Sequence, residues 1–239
     1  MKITLLGTGD AIGTPKIGCD CDICRRAWHE GRERLRTSLL IELDSHHLLI
    51  DTSPDLRRQL LNAGSPHIDA GIWTHGHYDH FMGYGDFYRV QKPPAMYAAS
   101  EVLDYCGDVF SFLPSPRHQV EPICPFNLFG LTITLFPVSH PGAPTYGMRI
   151  ESDTGVLVYS SDTRRDIPAE SLACMEGADL LILDSMAPSG LTIPKHMNYT
   201  VAVELASELG PKLFRCVHMS HMIPWDLPYT GSDMETFTI

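Results

Sequence analysis

The stretch Thr74-His75-Gly76-His77-Tyr78-Asp79-His80 decides how the rest of the chain is read. Its last six positions carry three imidazoles and a carboxylate: His75, His77, Asp79 and His80. Mixed histidine and carboxylate donors suit borderline divalent metals such as zinc, manganese and iron. His75 and His77, at alternate positions, project from one side of an extended segment. Asp79 and His80 follow a bend and can face a second ion beside the first. Immediately before the motif, Ala70-Gly71-Ile72-Trp73 reads as the end of a buried strand. A solvated histidine-rich loop is the plainer alternative, and an apolar strand running straight into this spacing argues against it.

Working outward, the chain has 239 residues, 44% of them hydrophobic and 20% charged, which is ordinary for a globular protein. At this size roughly 70–75% of the unfolded surface is buried on folding, so a sizeable core forms without staples. No apolar run approaches the roughly 20 residues of a membrane helix. The opening Met1-Lys2-Ile3-Thr4-Leu5-Leu6-Gly7 reads as a first strand rather than a signal peptide, so the expected location is cytoplasmic. The formal net charge is −11 and no dense Lys/Arg run is present. Affinity for polynucleotides rests on cationic neutralisation of phosphates, so this balance argues against a large nucleic-acid interface. It does not argue against a small phosphate ester, because bound metal ions would add positive charge at the site itself.

Seven cysteines include a crowded trio, Cys19, Cys21 and Cys24, in Gly18-Cys19-Asp20-Cys21-Asp22-Ile23-Cys24. Without a secretion signal, clustered cysteines read as metal ligands before disulfides. Three thiolates can share one zinc, but a closed site needs a fourth donor. His29, on the short helix expected over 25–30, and a histidine distant in sequence both qualify. Cys106, Cys124, Cys174 and Cys216 are dispersed and read as small core residues. The nearby Gly7-Thr8-Gly9 lacks the third glycine and immediate helix of a dinucleotide loop, so that reading is weak.

The remaining chain alternates strands and helices with no linker or composition shift, which predicts one α/β domain over 1–239 with a zinc knuckle at 18–24. Strands over 37–43 and 46–50 form a hairpin that runs into Asp51-Thr52-Ser53-Pro54. Asp51 is either an orienting partner for a metal-bound histidine or, like Ser53, the cap of a helix over 54–62. Helices are expected over 82–90 and 101–112, a strand over 96–98, and a Pro-rich loop with short strands over 113–130, where a substrate-shaping excursion would sit. Strands over 131–138 and 155–159 end in His140 and Asp162. Another over 179–183 ends at Asp184 and precedes a loop holding Lys195 and His196, then a helix over 198–209. A last strand over 212–217 runs into His218-Met219-Ser220-His221. Polar metal-binding side chains recurring at strand ends point to one cleft.

Gathered together, these residues resemble the metallo-β-lactamase fold superfamily. His75, His77, Asp79 and His80 match its His-x-His-x-Asp-His signature, and His140, Asp162 and His218 match its later single-residue motifs in order. The resemblance implies a four-layer αββα sandwich with a dinuclear site. His75, His77 and His140 would hold one ion, Asp79, His80 and His218 the other, with Asp162 bridging. Gly-Thr-Gly, Gly-Thr-Pro, the Cys-x-Cys-x-x-Cys knuckle, His196-Met197-Asn198 and the terminal His-Met-Ser-His are similar to the PhnP-like cyclic phosphodiesterase family of the carbon–phosphorus lyase pathway. That likeness does not extend to 84–130. It implies that His221 completes a Cys₃His structural zinc site with Cys19, Cys21 and Cys24, in preference to His29.

The function so implied is metal-dependent hydrolysis of a small phosphodiester, such as 5-phosphoribosyl 1,2-cyclic phosphate, with two divalent ions (manganese or zinc) and one structural zinc. A water activated by metal coordination at neutral pH attacks phosphorus in line. His196 and Asp79 are the expected catalytic residues, His196 as the acid that protonates the leaving oxygen. Arg25, Arg57, Arg164 and Arg165 are candidates for the substrate phosphate, with nothing in the sequence to rank them. The alternatives are a ribonuclease Z-like RNA phosphodiesterase, a thiolesterase of the glyoxalase II type and a metal-binding module without catalysis. Expected partners are the small phosphodiester and a second copy of the chain in a homodimer, with no membrane.

Overall fold

The computed structural model describes residues 1–239, and its polar strand ends gather on one side. One sheet contains β1 (Lys2–Gly7), β2 (Ser38–Leu43), β3 (His46–Ile50), β4 (Ala70–Ile72), β5 (Ala95–Ala98), β6 (Arg117–Gln119) and the last strand, β13 (Thr236–Thr238). Their order is β13-β1-β2-β3-β4-β5-β6. The other contains β7 (Phe126–Leu128), β8 (Leu131–Pro137), β9 (Tyr146–Glu151), β10 (Val156–Tyr159), β11 (Leu180–Asp184) and β12 (Leu213–Val217), in the order β12-β11-β10-β9-β8-β7. β3 to β6 run parallel, as do β10 to β12. Parallel neighbours end on the same side, which is why Asp51, Thr74, Asp162, Asp184 and His218 can meet.

Alternation along the strands divides the core. Leu180 and Ile182 join the larger apolar cluster with Ile41, Ile50, Ile133 and Ile150, while Leu181 and Leu183 join a smaller one. Successive strand side chains point to opposite faces, so β11 is buried on both. Helices α2 (Leu56–Asn62) and α4 (Ser100–Val109) pack on strands of the larger sheet. Helices α5 (Ala169–Met175) and α6 (Tyr199–Leu209) cover the smaller one, with Ala202 and Leu205 set against Phe214 and Cys216. The four-layer αββα sandwich expected from the sequence is observed. α6 starts on its Asn198 cap, whose side chain accepts from the Val201 N–H at 3.0 Å, and ends on Gly210. No helix is long and apolar enough to cross a membrane.

Several local expectations change. The helix expected over 82–90 is a short 3-10 helix, Met82–Phe87, following α3 (Tyr78–Phe81). Gly83 and Gly85 are poor α-formers, and the Gly83 N–H is drawn to the Thr52 carbonyl at 2.9 Å. The segment 113–130 supplies an edge strand to each sheet, β6 and β7, and none of it lines the two clefts beside the site described below. Neither Asp51 nor Ser53 is the N-cap of α2. That position falls to Asp55, whose own N–H donates to the Ser53 hydroxyl at 3.2 Å. Of the four dispersed cysteines, Cys106 and Cys216 are core, Cys174 is half-buried and Cys124 is exposed.

A Cβ at Gly83 would lie 1.8 Å from the Ser53 carbonyl oxygen. Gly83→Ala is therefore expected to cost roughly 1–3 kcal/mol, read as a lower melting temperature. Asp233 gives a pH test. It is buried, accepts from the Thr8 hydroxyl and the Leu35 N–H at 2.7 Å each, and burial pushes its carboxyl up to about 7. The folded chain therefore binds this proton more tightly than the unfolded one. The stability it confers is complete below the unfolded carboxyl range, near pH 4, and is lost as pH rises through about 7. Asp233→Asn, compared with wild type across that window at saturating metal, is expected to remove a decline of a few kcal/mol.

Candidate metal centre

β4 delivers Trp73-Thr74 into an extended turn, and α3 begins directly after His77. This puts His75 and His77 before the bend and Asp79 and His80 in the first turn of the helix. His75 Nε2 and His140 Nε2 stand 3.1 and 3.0 Å from His77 Nδ1. Asp162 Oδ2 lies 3.6 Å from His75 Nε2 and 4.0 Å from His140 Nε2. On the other side, His80 Nε2 and His218 Nε2 are each 3.4 Å from Asp79 Oδ2. Each of these two nitrogens is also 3.4 Å from a carboxylate oxygen of Asp162, so Asp162 belongs to both donor sets.

These separations fit metal ions. Metal–nitrogen distances of 2.0–2.1 Å in a tetrahedral site place neighbouring donors about 3.4 Å apart. His80 Nε2 and Asp162 Oδ1 are buried with no hydrogen-bond partner in the protein and converge on the same point. Electrostatics agrees. Burial would raise Asp162, but His218, His80 and His75 outweigh it and hold the carboxyl well below its ordinary range. Asp79 is lowered in the same way against its own burial. Burial lowers His75 well below the ordinary imidazole range and takes His140 down to about 4, leaving both neutral as ligation requires. His80 and His218 move the other way, because the surrounding carboxylates outweigh burial. The cationic character drawn to those two nitrogens is what a bound metal ion supplies.

The ring nitrogens turned away from the centre are held in place. Asp51 Oδ2 sits 2.7 Å from His80 Nδ1, and the same carboxylate accepts from the Thr74 N–H and hydroxyl at 2.8 Å each. Asp51 is thus the partner that orients a ligand histidine. Thr74 Oγ1 lies 2.9 Å from His75 Nδ1, and His140 Nδ1 reaches the Lys195 carbonyl at 3.2 Å. Buried Asp184 plays a part the sequence reading missed. Its Oδ2 accepts from the Thr163 N–H at 2.9 Å and meets His196 Nδ1 at 2.8 Å, and its Oδ1 faces His218 Nδ1 at 3.6 Å. A carboxylate closing a buried strand, as Asp162 does, was the available signal.

His196 stacks on His218, with ring centroids 4.9 Å apart and planes 20° apart, and stands equally close to His140. It lines a cleft of about 590 Å³ together with Arg164 and Arg165. Of the four candidate arginines, Arg164 and Arg165 line this cleft, paired with Asp166 and Glu208 respectively; Arg25 binds Asp20 and Asp22 beside the knuckle, and Arg57 lies in an apolar groove with Leu56 and Leu60. At the knuckle, Cys19, Cys21 and Cys24 each place Sγ 3.6 Å from His221 Nδ1. A tetrahedral zinc with bonds of 2.3 Å to sulfur and 2.0–2.1 Å to nitrogen gives a separation of about 3.6 Å. His29 is exposed at the end of α1 (Asp22–Glu30) and takes no part.

A sandwich with paired His/Asp donor sets at its strand ends defines a metal-dependent hydrolase class. Residues 46–219 match the family model described as the beta-lactamase superfamily domain. The chain belongs to this superfamily and, within it, to the PhnP-like group. It is 31% identical to a diphosphatase of the PhnP family of known structure, covering 100% of this chain and 97% of that one with a TM-score of 0.89. Zn²⁺-bound PqqB from Methylobacterium extorquens shares the fold at 23% identity, a TM-score of 0.86 and full coverage of both chains. An octanoyltransferase of Porphyromonas gingivalis is 33% identical over 237 residues, which are 94% of this chain and 47% of that protein. The chain spans about half the length of that relative, so the transferase name describes a protein about twice as long.

Removing the partner of a ligand histidine typically costs 10–100-fold in metal affinity. Asp51→Ala is expected to show a loss of that order in competition with a chelator, while the knuckle metal is retained.

Proposed function

We propose that the chain is a dinuclear metal-dependent phosphodiesterase acting on a small phosphodiester, a cyclic phosphate such as 5-phosphoribosyl 1,2-cyclic phosphate. One observation carries the reading. His196 stands at the rim of the paired donor sets, fixed through Nδ1 by Asp184, in a cleft that also presents Arg164 and Arg165. Two manganese or zinc ions fit the paired sets, and a structural zinc fits Cys19, Cys21, Cys24 and His221. When bound, the paired ions supply Lewis acidity and an activated water at neutral pH.

The chain's own residues do the rest. Arg164 and Arg165 meet the phosphate in the cleft by exchanging it for their carboxylate partners Asp166 and Glu208. Asp162 and Asp79 hold the two halves of the centre in register. Opening a cyclic diester leaves an alkoxide that needs a proton. Asp184 accepts from Nδ1 of His196 and turns Nε2 toward the cleft, where a proton held on it passes to the leaving oxygen. The net charge of −11 supports a small anion over a polynucleotide as substrate. The diphosphatase activity of the PhnP-family relative supports phosphorus–oxygen cleavage as the chemistry.

His196→Ala is expected to retain its metals and lose on the order of 10²–10⁴ in turnover of an alkyl cyclic phosphate. It should lose far less on bis-p-nitrophenyl phosphate, whose leaving group departs without a proton. Full turnover of the cyclic ester by the metal-loaded variant would sink the acid role. Wild-type protein should be assayed in parallel against a 2′,3′-cyclic nucleotide, a nucleoside diphosphate, a pre-tRNA and a thioester. Turnover of the thioester or the diphosphate alone overturns the diesterase reading, and efficient pre-tRNA cleavage replaces it with an RNA substrate.

A further inference from the structure

The two helical layers differ in what they leave outside. α5 and α6 expose no large apolar side chain, whereas eight of the fifteen exposed ones fall between Leu61 and Phe112, in the layer over the larger sheet. α4 buries Val102, Leu103 and Cys106 against that sheet. Its outer face carries a second apolar row: Tyr105 and Val109, with Phe112 in the turn that follows, are 57%, 40% and 66% exposed. Apolar residues at i, i+4 and i+7 are the pattern of a helix face that is covered. Met82 and Tyr88, also exposed, continue the surface across the 3-10 helix. That helix packs on α4 through Tyr84 and Phe110, with ring centroids 5.3 Å apart, and Phe81 meets Tyr105 at 5.8 Å. Contiguous exposed apolar patches mark interaction surfaces.

Charge identifies the occupant. Asp104 and Asp108 stand beside the apolar row, one turn apart and exposed, and neither makes an ion pair within the chain. Like charges at that spacing repel. Arg89 and Lys92, on the turn after the 3-10 helix, are likewise exposed and unpaired, and the Arg89 guanidinium lies over the Tyr88 ring at 5.1 Å. One apolar patch thus carries two free carboxylates and two free cations. In a two-fold pairing contacts are reciprocal, so α4 of each copy can face the turn of the other and every one of these charges finds a partner. An anionic lipid or nucleic-acid surface would instead meet the acidic row. The other exposed apolar group, Ile12, Ile17 and Trp28, lacks this feature, because Arg36 and Arg58 beside it are already bound to Asp55 and Glu33. We propose that the outer face of α4 and the 3-10 helix is the interface of a two-fold homodimer, with Asp104 and Asp108 opposite Arg89 and Lys92 of the second copy. Tyr105 also lines a cleft of about 370 Å³ beside His77, so the second copy borders one approach to the metal centre. The interface stands or falls independently of the reaction proposed above.

Sedimentation equilibrium of the metal-loaded full chain is expected to show the mass of two chains at micromolar concentration. Asp104→Lys combined with Asp108→Lys, and separately Arg89→Glu combined with Lys92→Glu, should each raise the dimer dissociation constant on the order of tenfold or more. Mixing the two doubly substituted chains should restore an assembly holding one copy of each, because opposite charges then face one another across both halves of the interface. Val109→Glu should dissociate the dimer with no such rescue. Melting temperature and metal content matching wild type establish that each variant is folded. A wild-type chain that stays monomeric up to its solubility limit overturns the dimer and leaves the face to a different partner. A dimer that both reversals and Val109→Glu leave intact has its interface elsewhere, and reversals that weaken it without rescue on mixing reject the charge pairing. If either reversal fails to fold, Val109→Glu decides, a persisting dimer rejecting this face.

Discussion

Asp162 is the residue on which the rest of the site depends. It is 2% exposed, and its two oxygens lie between 3.4 and 4.0 Å from nitrogens of His75, His80, His140 and His218. A carboxylate in that position is costly unless something cationic meets it. The neighbouring carboxylates Asp51, Asp79 and Asp184 are also buried. When ionised, the four carry four negative charges, which two divalent ions would match while the four imidazoles around Asp162 stay neutral as ligands. The pairing of two His sets around one shared carboxylate is thus a charge balance as much as a coordination geometry. It explains how so polar a cluster can occupy the inner end of a sandwich whose strands are otherwise apolar.

The backbone adapts to deliver these groups. Asp51, Ser161 and His218 all have positive φ, at 59°, 53° and 56°. For residues other than glycine this region costs on the order of 1–3 kcal/mol each. All three fall just past a strand end, where the left-handed turn brings Asp51 and His218, and Asp162 after Ser161, back toward the centre instead of continuing the pleat. Hydrogen bonds hold the turns: the His218 N–H donates to Thr37 Oγ1 at 3.1 Å, and the Asp51 N–H to the Ile72 carbonyl at 2.9 Å. Both sheets contribute such a turn to the site, although the same φ region also occurs at six non-glycine residues away from it, Ile123 and Phe129 among them.

What could be read in advance follows from this arrangement. His75, His77, Asp79 and His80 are close in sequence because one turn presents them, so their spacing alone exposed them. His140, Asp162 and His218 were legible as polar residues ending apolar strands, and the four-layer sandwich followed from the family resemblance those seven residues carried. Asp184 ends a strand in the same way but binds the outer nitrogen of His196. Nothing local distinguishes an orienting carboxylate from a ligand. The segment at 113–130 was legible as a loop with short strands, which β6 and β7 are; its lack of periodicity gave no hint that it lies away from the clefts beside the site.

The knuckle bears on the same constraint from outside. His221 lies three residues beyond His218, and its sulfur partners lie some 200 positions earlier in the chain. Closing a loop of that length through one four-donor site ties the segment after β1 to the end of β12. Arg34 reinforces the tie. It is buried, stacks over the Trp225 ring at 4.2 Å, and donates to the carbonyls of Ser220 and Ile223 at 3.3 and 2.8 Å and of Pro224 at 3.2 Å. These three acceptors belong to the loop that starts at the left-handed His218. A left-handed histidine followed by an unrestrained loop would relax toward extended backbone and withdraw its Nε2 from Asp79 and Asp162. The Arg34 guanidinium holds the loop along 220–224, and a zinc bound by Cys19, Cys21, Cys24 and His221 would hold it at His221 as well. A metal bound at the cysteine cluster would therefore bear on the His218 donor set through three residues of backbone, without contributing a donor to it.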